Sequence, residues 1–419
     1  MAKIRGILVL FLLVACTAGL FAGGTGEAKN VTLSIILNQT WNKEHFVPIL
    51  KAYSAAHPNV TIDPQIIPDE QFTQLVKTRF ATGDFPNIYW DSFGQIQQMF
   101  KVPDLLTDLS AEPWVSRLVD VSAVTDTGKV YGFPTSLPPV EGVVYNKKVF
   151  QQVGVTVPKT YNDLLAVCAK IRAAGIDPFT ITAKDVWTVG MWVVEMVPLA
   201  VKDKPGIWND LNTGKVKFDS IPAFTDAFQK MKQIVDMGYA NKDMFSAGYD
   251  VGNDEVANGQ AAMEVQGEWA ANDIVKKYPD AQVGLFPLPL VDNSVFTSGF
   301  VAALTIPQKS KDIEASKGLI RYFADPAQVK IMAGDGYVPP AVKDVSVPLP
   351  PWTQEALTNY TLKGKPPIAE MGVASLVSMG QLSTYTTSML DGTMKVEDLM
   401  PAWAKYFAEQ ATIRKLPGW

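Results

Sequence analysis

The sequence predicts an α/β fold in which two α/β lobes are joined by a multi-strand hinge, with a cleft between them. Three observations predict it. Residues 31–91 run strand, helix, strand, helix, strand, an order that demands a parallel sheet with right-handed crossovers. A fresh strand begins at residues 143–146, after the proline-stiffened segment Ser136-Leu137-Pro138-Pro139-Val140-Glu141. Later, Ser298-Gly299-Phe300 and the apolar run 301–306 read as a return of the chain to its first lobe. A chain of 419 residues is too long for one ordinary core and suits such a division.

Taken in order, residues 31–37 form a first strand that ends in Asn38-Gln39-Thr40-Trp41. Phe46, Ile49, Leu50 and Tyr53 follow at helical spacing and stop at His57-Pro58. Residues 60–67 are the second strand, and Asp69 is the expected N-cap of a helix carrying Phe72, Leu75, Val76 and Phe80. Asn87-Ile88-Tyr89-Trp90-Asp91 is the third strand, so the carboxyl ends of the strands deliver Asn38, Trp41, Asp91 and Ser92 to one edge of the sheet. That edge is where an open α/β sheet binds its ligand. Thr160 with Asp163 has capping-box spacing before a helix with Leu164, Cys168 and Ile171, closed by Gly175. Residues 179–182 read as a short strand, and Trp187 and Trp192 lie in the helical stretch after it. Phe224, Ala227, Phe228, Met231 and Val235 mark another helix, ended by Gly238.

The stretch from residue 261 to residue 269 organises the second lobe. Residues 261–266 are a short apolar run of strand length, which breaks at Gly267. Glu268 and Trp269 then open a helical pattern with Ala270 and Ile274. Residues 281–290 are expected to form a further strand, and Ile313, Ser316, Ile320 and Phe323 a helix ended by Asp325-Pro326. Residues 338–351 contain five prolines and read as a third crossing between lobes. The expected organisation is a signal peptide over 1–22, an N-terminal lobe from 30–138 and 298–340, and a C-terminal lobe from 141–296 and 350–419.

Lys3 and Arg5 precede an apolar segment over residues 7–15 that is too short to span a bilayer, the pattern of a secretion signal. Leu13-Val14-Ala15-Cys16 matches a bacterial lipoprotein box with Cys16 as the lipid-bearing residue, while Leu20-Phe21-Ala22 offers an ordinary cleavage site. Loss of Lys3 and Arg5 makes the formal charge of −5 more negative by two, which argues against nucleic acid and anionic membranes as partners. Of two cysteines, Cys168 lies in an apolar helical pattern and is expected to be inert core; with two histidines, a His-based metal site is not expected, and no cofactor is called for.

The site-forming residue types are acids, amides and indoles. Carboxylates and amides exchange hydrogen bonds with hydroxyls, and an indole covers the C–H face of a sugar ring. On this basis the candidate ligand contacts are Asn38, Trp41, Asp91, Ser92, Glu141, Trp187, Trp192, Glu268, Trp269, Gly299 and Tyr337. Core packing for the tryptophans and a helix-terminal charge for Glu268 are the competing readings.

Four segments in order carry a resemblance. They are Ala81-Thr82-Gly83-Asp84 with Pro86 and strand 88–91; residues 128–133 with Tyr145-Asn146-Lys147; residues 258–269; and Arg321-Tyr322-Phe323-Ala324-Asp325-Pro326. Over roughly residues 30–410 the chain resembles the extracellular solute-binding proteins of bacterial carbohydrate ABC importers, the family that includes maltose-binding protein. The resemblance implies a type II periplasmic-binding-protein fold, a sugar or oligosaccharide in the interlobe cleft, and a monomer that delivers it to the transmembrane permease subunits of an importer. It implies that Trp269 stacks on a sugar ring, that Asp91 and residues 38–41 reach the cleft, and that Glu141 lies near a carboxylate of the first crossing. Two other classes use similar residues: a secreted glycoside hydrolase, through paired carboxylates, and a polyamine-binding protein, through acids and cation–π contact. No Gly-x-Ser-x-Gly, His-Glu-x-x-His or phosphate-loop pattern occurs.

Overall fold

A computed structural model describes residues 30–41, 45–334 and 339–419. The candidates Cys16 and Tyr337, and the signal segment, lie outside the described residues. Strands β1 (Val31–Asn38), β2 (Val60–Ile67) and β3 (Ile88–Ser92) are mutually parallel around β1. Pro64 lies in β2, which is an edge strand, so its missing N–H breaks no ladder. A short hairpin of β4 (Thr125–Asp126) and β5 (Lys129–Val130) leads to β6 (Gly132–Pro134). The chain then leaves for a second sheet made of β7 (Val140–Asn146), β8 (Asp177–Phe179), β9 (Ala261–Gly267), β10 (Val283–Phe286) and β11 (Thr297–Ser298). It returns as β12 (Ala302–Thr305), antiparallel between β3 and β6, and ends its strands with β13 (Ile368–Ala369) beside β11. The first sheet therefore runs β2-β1-β3-β12-β6 and the second β13-β11-β7-β9-β8, with β10 on β7.

Local chemistry explains most of these elements. The helix Phe46–Ala56 buries Phe46, Ile49, Leu50 and Tyr53, the four residues at its apolar spacing. In the helix Tyr161–Ala173, Thr160 Oγ1 accepts from Asp163 N at 3.1 Å and Asp163 Oδ2 accepts from Thr160 N at 3.1 Å, a complete capping box. Gly175 follows at φ +80°, a conformation that glycine adopts at least cost. The helix Asp69–Ala81 starts one residue earlier than expected: Pro68 occupies the cap position and Asp69 is its first residue. The expected strand over 281–290 shortens to β10 because Pro287 and Pro289 have no N–H to continue a ladder. Every residue of β9 is buried, since helices and neighbouring strands cover both faces.

Each sheet carries its own core. Leu33, Ile35, Leu37, Phe46, Trp90 and Phe323 belong to the first. The second gathers Cys168, Phe179, Trp192, Phe224 and Phe228 with the C-terminal helix Val396–Ile413. Burial pushes the Cys168 thiol up to about 12, which keeps it protonated and unreactive. Trp403 has no exposed surface and packs edge-on to Phe218 at 5.9 Å and to Phe407 at 6.0 Å. Trp403→Ala should therefore cost about 3–5 kcal/mol. A denaturant midpoint lowered with an unchanged slope would report it, and an unchanged midpoint would deny the C-terminal helix its part in the core.

Candidate functional site

The two sheets are linked where the chain passes from β6 to β7 and returns from β11 to β12. Register places Glu141 of β7 opposite both Thr297 of β11 and Gly267 of β9. Glu370 follows β13 directly, and its backbone N–H donates to Ser298 O at 3.1 Å. Adjacent strands thus bring Glu370, Thr297, Glu141 and Glu268 to one end of the second sheet. A fourth carboxylate, Glu195, enters from the helix Val186–Ala200, which packs on this end. All four carboxyl side chains are buried.

Their hydrogen bonds are specific. Thr297 Oγ1 donates to Glu141 Oε2 at 3.1 Å, and Thr353 Oγ1 donates to Glu268 Oε2 at 2.6 Å. The Val140 backbone N–H and the Thr353 hydroxyl both favour the charged form of Glu268, against the effect of burial. Glu141 and Glu370 hydrogen-bond to each other, which requires one of the two carboxyls to hold a proton. Burial pushes Glu141 and Glu268 up to about 7, and it pushes Glu195 and Glu370 well above the ordinary carboxyl range. Repulsion from Glu141 adds to the rise at Glu195 and Glu370. Among the described residues, Glu195 Oε1 and Gln266 Oε1 are buried without a hydrogen-bond partner. Such atoms are costly unless something donates to them.

Two glycines make this packing possible. A Cβ on Gly299 would lie 2.3 Å from Glu141 Oε1, so only glycine leaves room for that carboxylate. A Cβ on Gly267 would lie 2.0 Å from Trp269 Cζ3, so the indole folds back over bare backbone at the strand-to-helix corner. The helix Glu268–Lys277 thereby begins with a buried acid and a half-buried tryptophan. The structure brings together Glu141, Glu268, Gly299 and Trp269 from the residues singled out in the sequence.

The other described candidates lie at the ends of β1 and β3 and on the helix Val186–Ala200. Asn38 Oδ1 accepts from Trp41 N at 2.9 Å, closing a turn at the end of β1, and Trp41 stands edge-on to Trp90 with ring centroids 5.7 Å apart. Asp91 accepts from Tyr89 Oη and, at 2.7 Å, from Ser92 N; burial lifts it to about 7. Tyr89 packs on Phe72 and Phe80, so Asp91 shares a polar niche with the core of the first lobe. Ser92 Oγ is buried and unpartnered among the described residues. Trp187 packs against Tyr249 at 5.1 Å in the second lobe. Trp192 is 2% exposed and lies 5.2 Å from Phe179, a position in the core of that lobe.

Sequence reasoning passed over Glu195, Glu370, Thr297, Phe300 and Gln98. Glu195 carried a signal: it is the one charged residue in the apolar helix Val186–Ala200. The others carried none. Phe300 sits against Gly94 of the first lobe, where a Cβ would fall 1.4 Å from its ring, and 2.9 Å from the Cβ position of Gly372. Gln98 Nε2 donates to the carbonyls of Gly372 (2.5 Å) and Ser375 (3.0 Å), tying the helix Phe93–Met99 to the segment after β13. Among the described residues no group of three or more His, Cys, Asp or Glu has the geometry to hold a metal ion. No helix among them is long and apolar enough to cross a membrane.

Comparison with known proteins places this geometry in context. The profile of the bacterial extracellular solute-binding proteins matches residues 43–330. The chain is 25% identical over 328 residues to the multiple sugar-binding protein of Streptococcus mutans, spanning 74% of this chain and 76% of that one. It is 21% identical over 350 residues to the melibiose/raffinose/stachyose-binding protein MelE of Bacillus subtilis, spanning 81% and 80%. A sugar transporter protein of Bacillus licheniformis in complex with stachyose superposes with a TM-score of 0.78 at 18% identity, over 90% of this chain and 100% of that one. A chitin oligosaccharide binding protein does so with a TM-score of 0.79 at 22% identity, over 91% and 99%. These superpositions speak to the fold.

Proposed function

The chain belongs to the bacterial extracellular solute-binding proteins and has their type II periplasmic-binding-protein fold, and from that premise we propose that it is the extracytoplasmic receptor of an ABC importer, binding a sugar or oligosaccharide between its lobes and handing it to a membrane permease. One observation supports this reading above the rest. At the end of the second sheet, where the chain crosses between lobes, buried carboxyls flank the corner that presents the Trp269 indole. Carboxyls with raised pKa both donate and accept, which suits ligand hydroxyls, and the indole suits a ring face. Ligand held by both lobes biases the closed arrangement, because only that arrangement makes both sets of contacts. Tethering through a lipidated Cys16 and a monomeric state are part of the same proposal.

The chemistry argues against the two other classes. Glu141 and Glu370 are in hydrogen-bond contact, whereas carboxyls that flank a glycosidic bond stand about 5–9 Å apart. Their shared proton also removes negative charge that a polyamine site would keep. The test is a thermal-shift series with neutral mono- to tetrasaccharides, polyamines and buffer alone. One saccharide should raise the midpoint, by the equivalent of about 2.7 kcal/mol at a hundred times its Kd. A response to polyamines only, or cleavage of the saccharide seen by chromatography, would overturn the proposal.

A further inference from the structure

A concavity of about 470 Å³ lies on the flank of the second lobe, at the end of β7 remote from Glu141, and none of the carboxyls at the crossing lines it. We propose that this flank, walled by Tyr145 and Tyr360 and rimmed by Lys159, Lys363 and Lys365, is a second ligand site that takes a hydroxylated anion of mono- to disaccharide size, its charge a carboxylate or a phosphate.

The walls are rigid. Tyr145 packs against Phe150 at 4.6 Å and Phe286 at 5.3 Å. It lies across Gly284, where a Cβ would fall 2.4 Å from its ring and 2.7 Å from the Lys147 stem, so a bare backbone position seats both side chains. Tyr360 is braced edge-on by Phe296 at 5.0 Å. Pro158, Pro287 and Pro289 stiffen the remaining rim. A volume of this size is that of an ordinary small-molecule site, and preorganised walls lower the entropy lost on binding.

The charge is the second, independent observation. The chain as a whole is acidic, with a formal charge of −5, yet this concavity is basic. Its one carboxylate, Glu355, is neutralised by Lys147 Nζ at 2.6 Å. Lys159, Lys363 and Lys365 enter no ion pair among the described residues. A tight turn fixes two of them: Lys363 N and Lys365 N both donate to Tyr360 O at 3.0 Å, with Gly364 between them at φ +78°. Two lysines of the lining are thus held in the turn that follows Tyr360. The lysines attract an oxyanion, the tyrosine faces cover a ring, and Asn293 and Asn359 in the lining offer hydroxyl partners.

Calorimetric titration of the full-length chain tests this with glucuronate, glucose 6-phosphate, glucose, inorganic phosphate and a tetraglutamate peptide. Glucuronate, glucose 6-phosphate or both should saturate one site, at least tenfold tighter than glucose or phosphate, and which of the two binds identifies the oxyanion. The double substitution Lys363→Glu/Lys365→Glu, with its circular dichroism unchanged, should weaken that binding at least tenfold, and so should Tyr360→Ala, whereas Trp269→Ala should leave it unaltered. The inference is overturned if neither anionic sugar saturates, if the lysine pair has no effect, if Trp269→Ala abolishes the same binding, or if phosphate or tetraglutamate binds as tightly as the sugars.

Discussion

Trp269→Ala should lower ligand affinity by roughly one to two orders of magnitude and leave the fold in place. The indole is half buried, with one edge laid over Gly267 and part of its surface against the cores of the second lobe. If ligand covers about 80 Å² of the remaining apolar face, burial at about 25 cal/mol/Å² contributes about 2 kcal/mol. Ring-on-ring geometry adds about 0.5–1 kcal/mol, so the sum corresponds to a factor of roughly 100 in Kd. Trp269→Phe keeps a ring at the corner and should recover about half of that loss in free energy. Titration with the saccharide that raises the melting midpoint measures both variants, and circular dichroism checks the fold. A collapsed melting midpoint for the alanine variant would assign Trp269 to packing, and an unchanged Kd would place it outside the site.

How much of this was legible in the sequence depends on the range of the interaction. Strand and helix positions came through where the signal is local: the spacing of Phe46, Ile49, Leu50 and Tyr53, the capping pair Thr160 and Asp163, and the break at Gly267. Pro287 and Pro289 shortened β10, a local rule that the apolar run had masked. The candidate site was legible in part. Glu141, Glu268, Gly299 and Trp269 could be named because they flank strand ends and glycine breaks. Glu370 could not, because its role rests on β13 pairing with β11, a contact between residues about 70 positions apart that no local pattern encodes. Trp192 illustrates the converse. An indole is equally at home on a ligand and in a core, and helical spacing does not distinguish the two; the neighbouring Phe179 does.

The buried carboxyls of both lobes make a second strong prediction, that the protein loses stability as pH rises from 5 to 8.5. The sign follows from proton counting. Glu141 and Glu268 stand near 7 in the folded chain, Glu264 near 8 and Asp91 near 7, all raised by burial from ordinary values near 4. Between those limits the folded state holds more protons than the unfolded state, so unfolding releases protons and stability falls with pH. The contribution is fully present below about pH 4 and is lost as pH climbs through 7 to 8. A rise from 4.5 to about 7 at Glu141 alone corresponds to roughly 3 kcal/mol. The pair contributes less than twice that, because Glu141 and Glu370 share a proton. Asp108, held down to about 2 by Ser110 and Lys129, titrates below this window and does not offset it. The thermal midpoint should therefore be highest near pH 5. Glu370→Gln keeps a donor toward Glu141 and removes one ionisation, so it should flatten the decline above pH 6 while preserving the midpoint at pH 5. A midpoint that stays level or rises between pH 5 and 8.5 would mean that these carboxyls are solvated in the folded chain, and the packing of the lobes at Gly299 and Glu370 would then be looser than the structure describes.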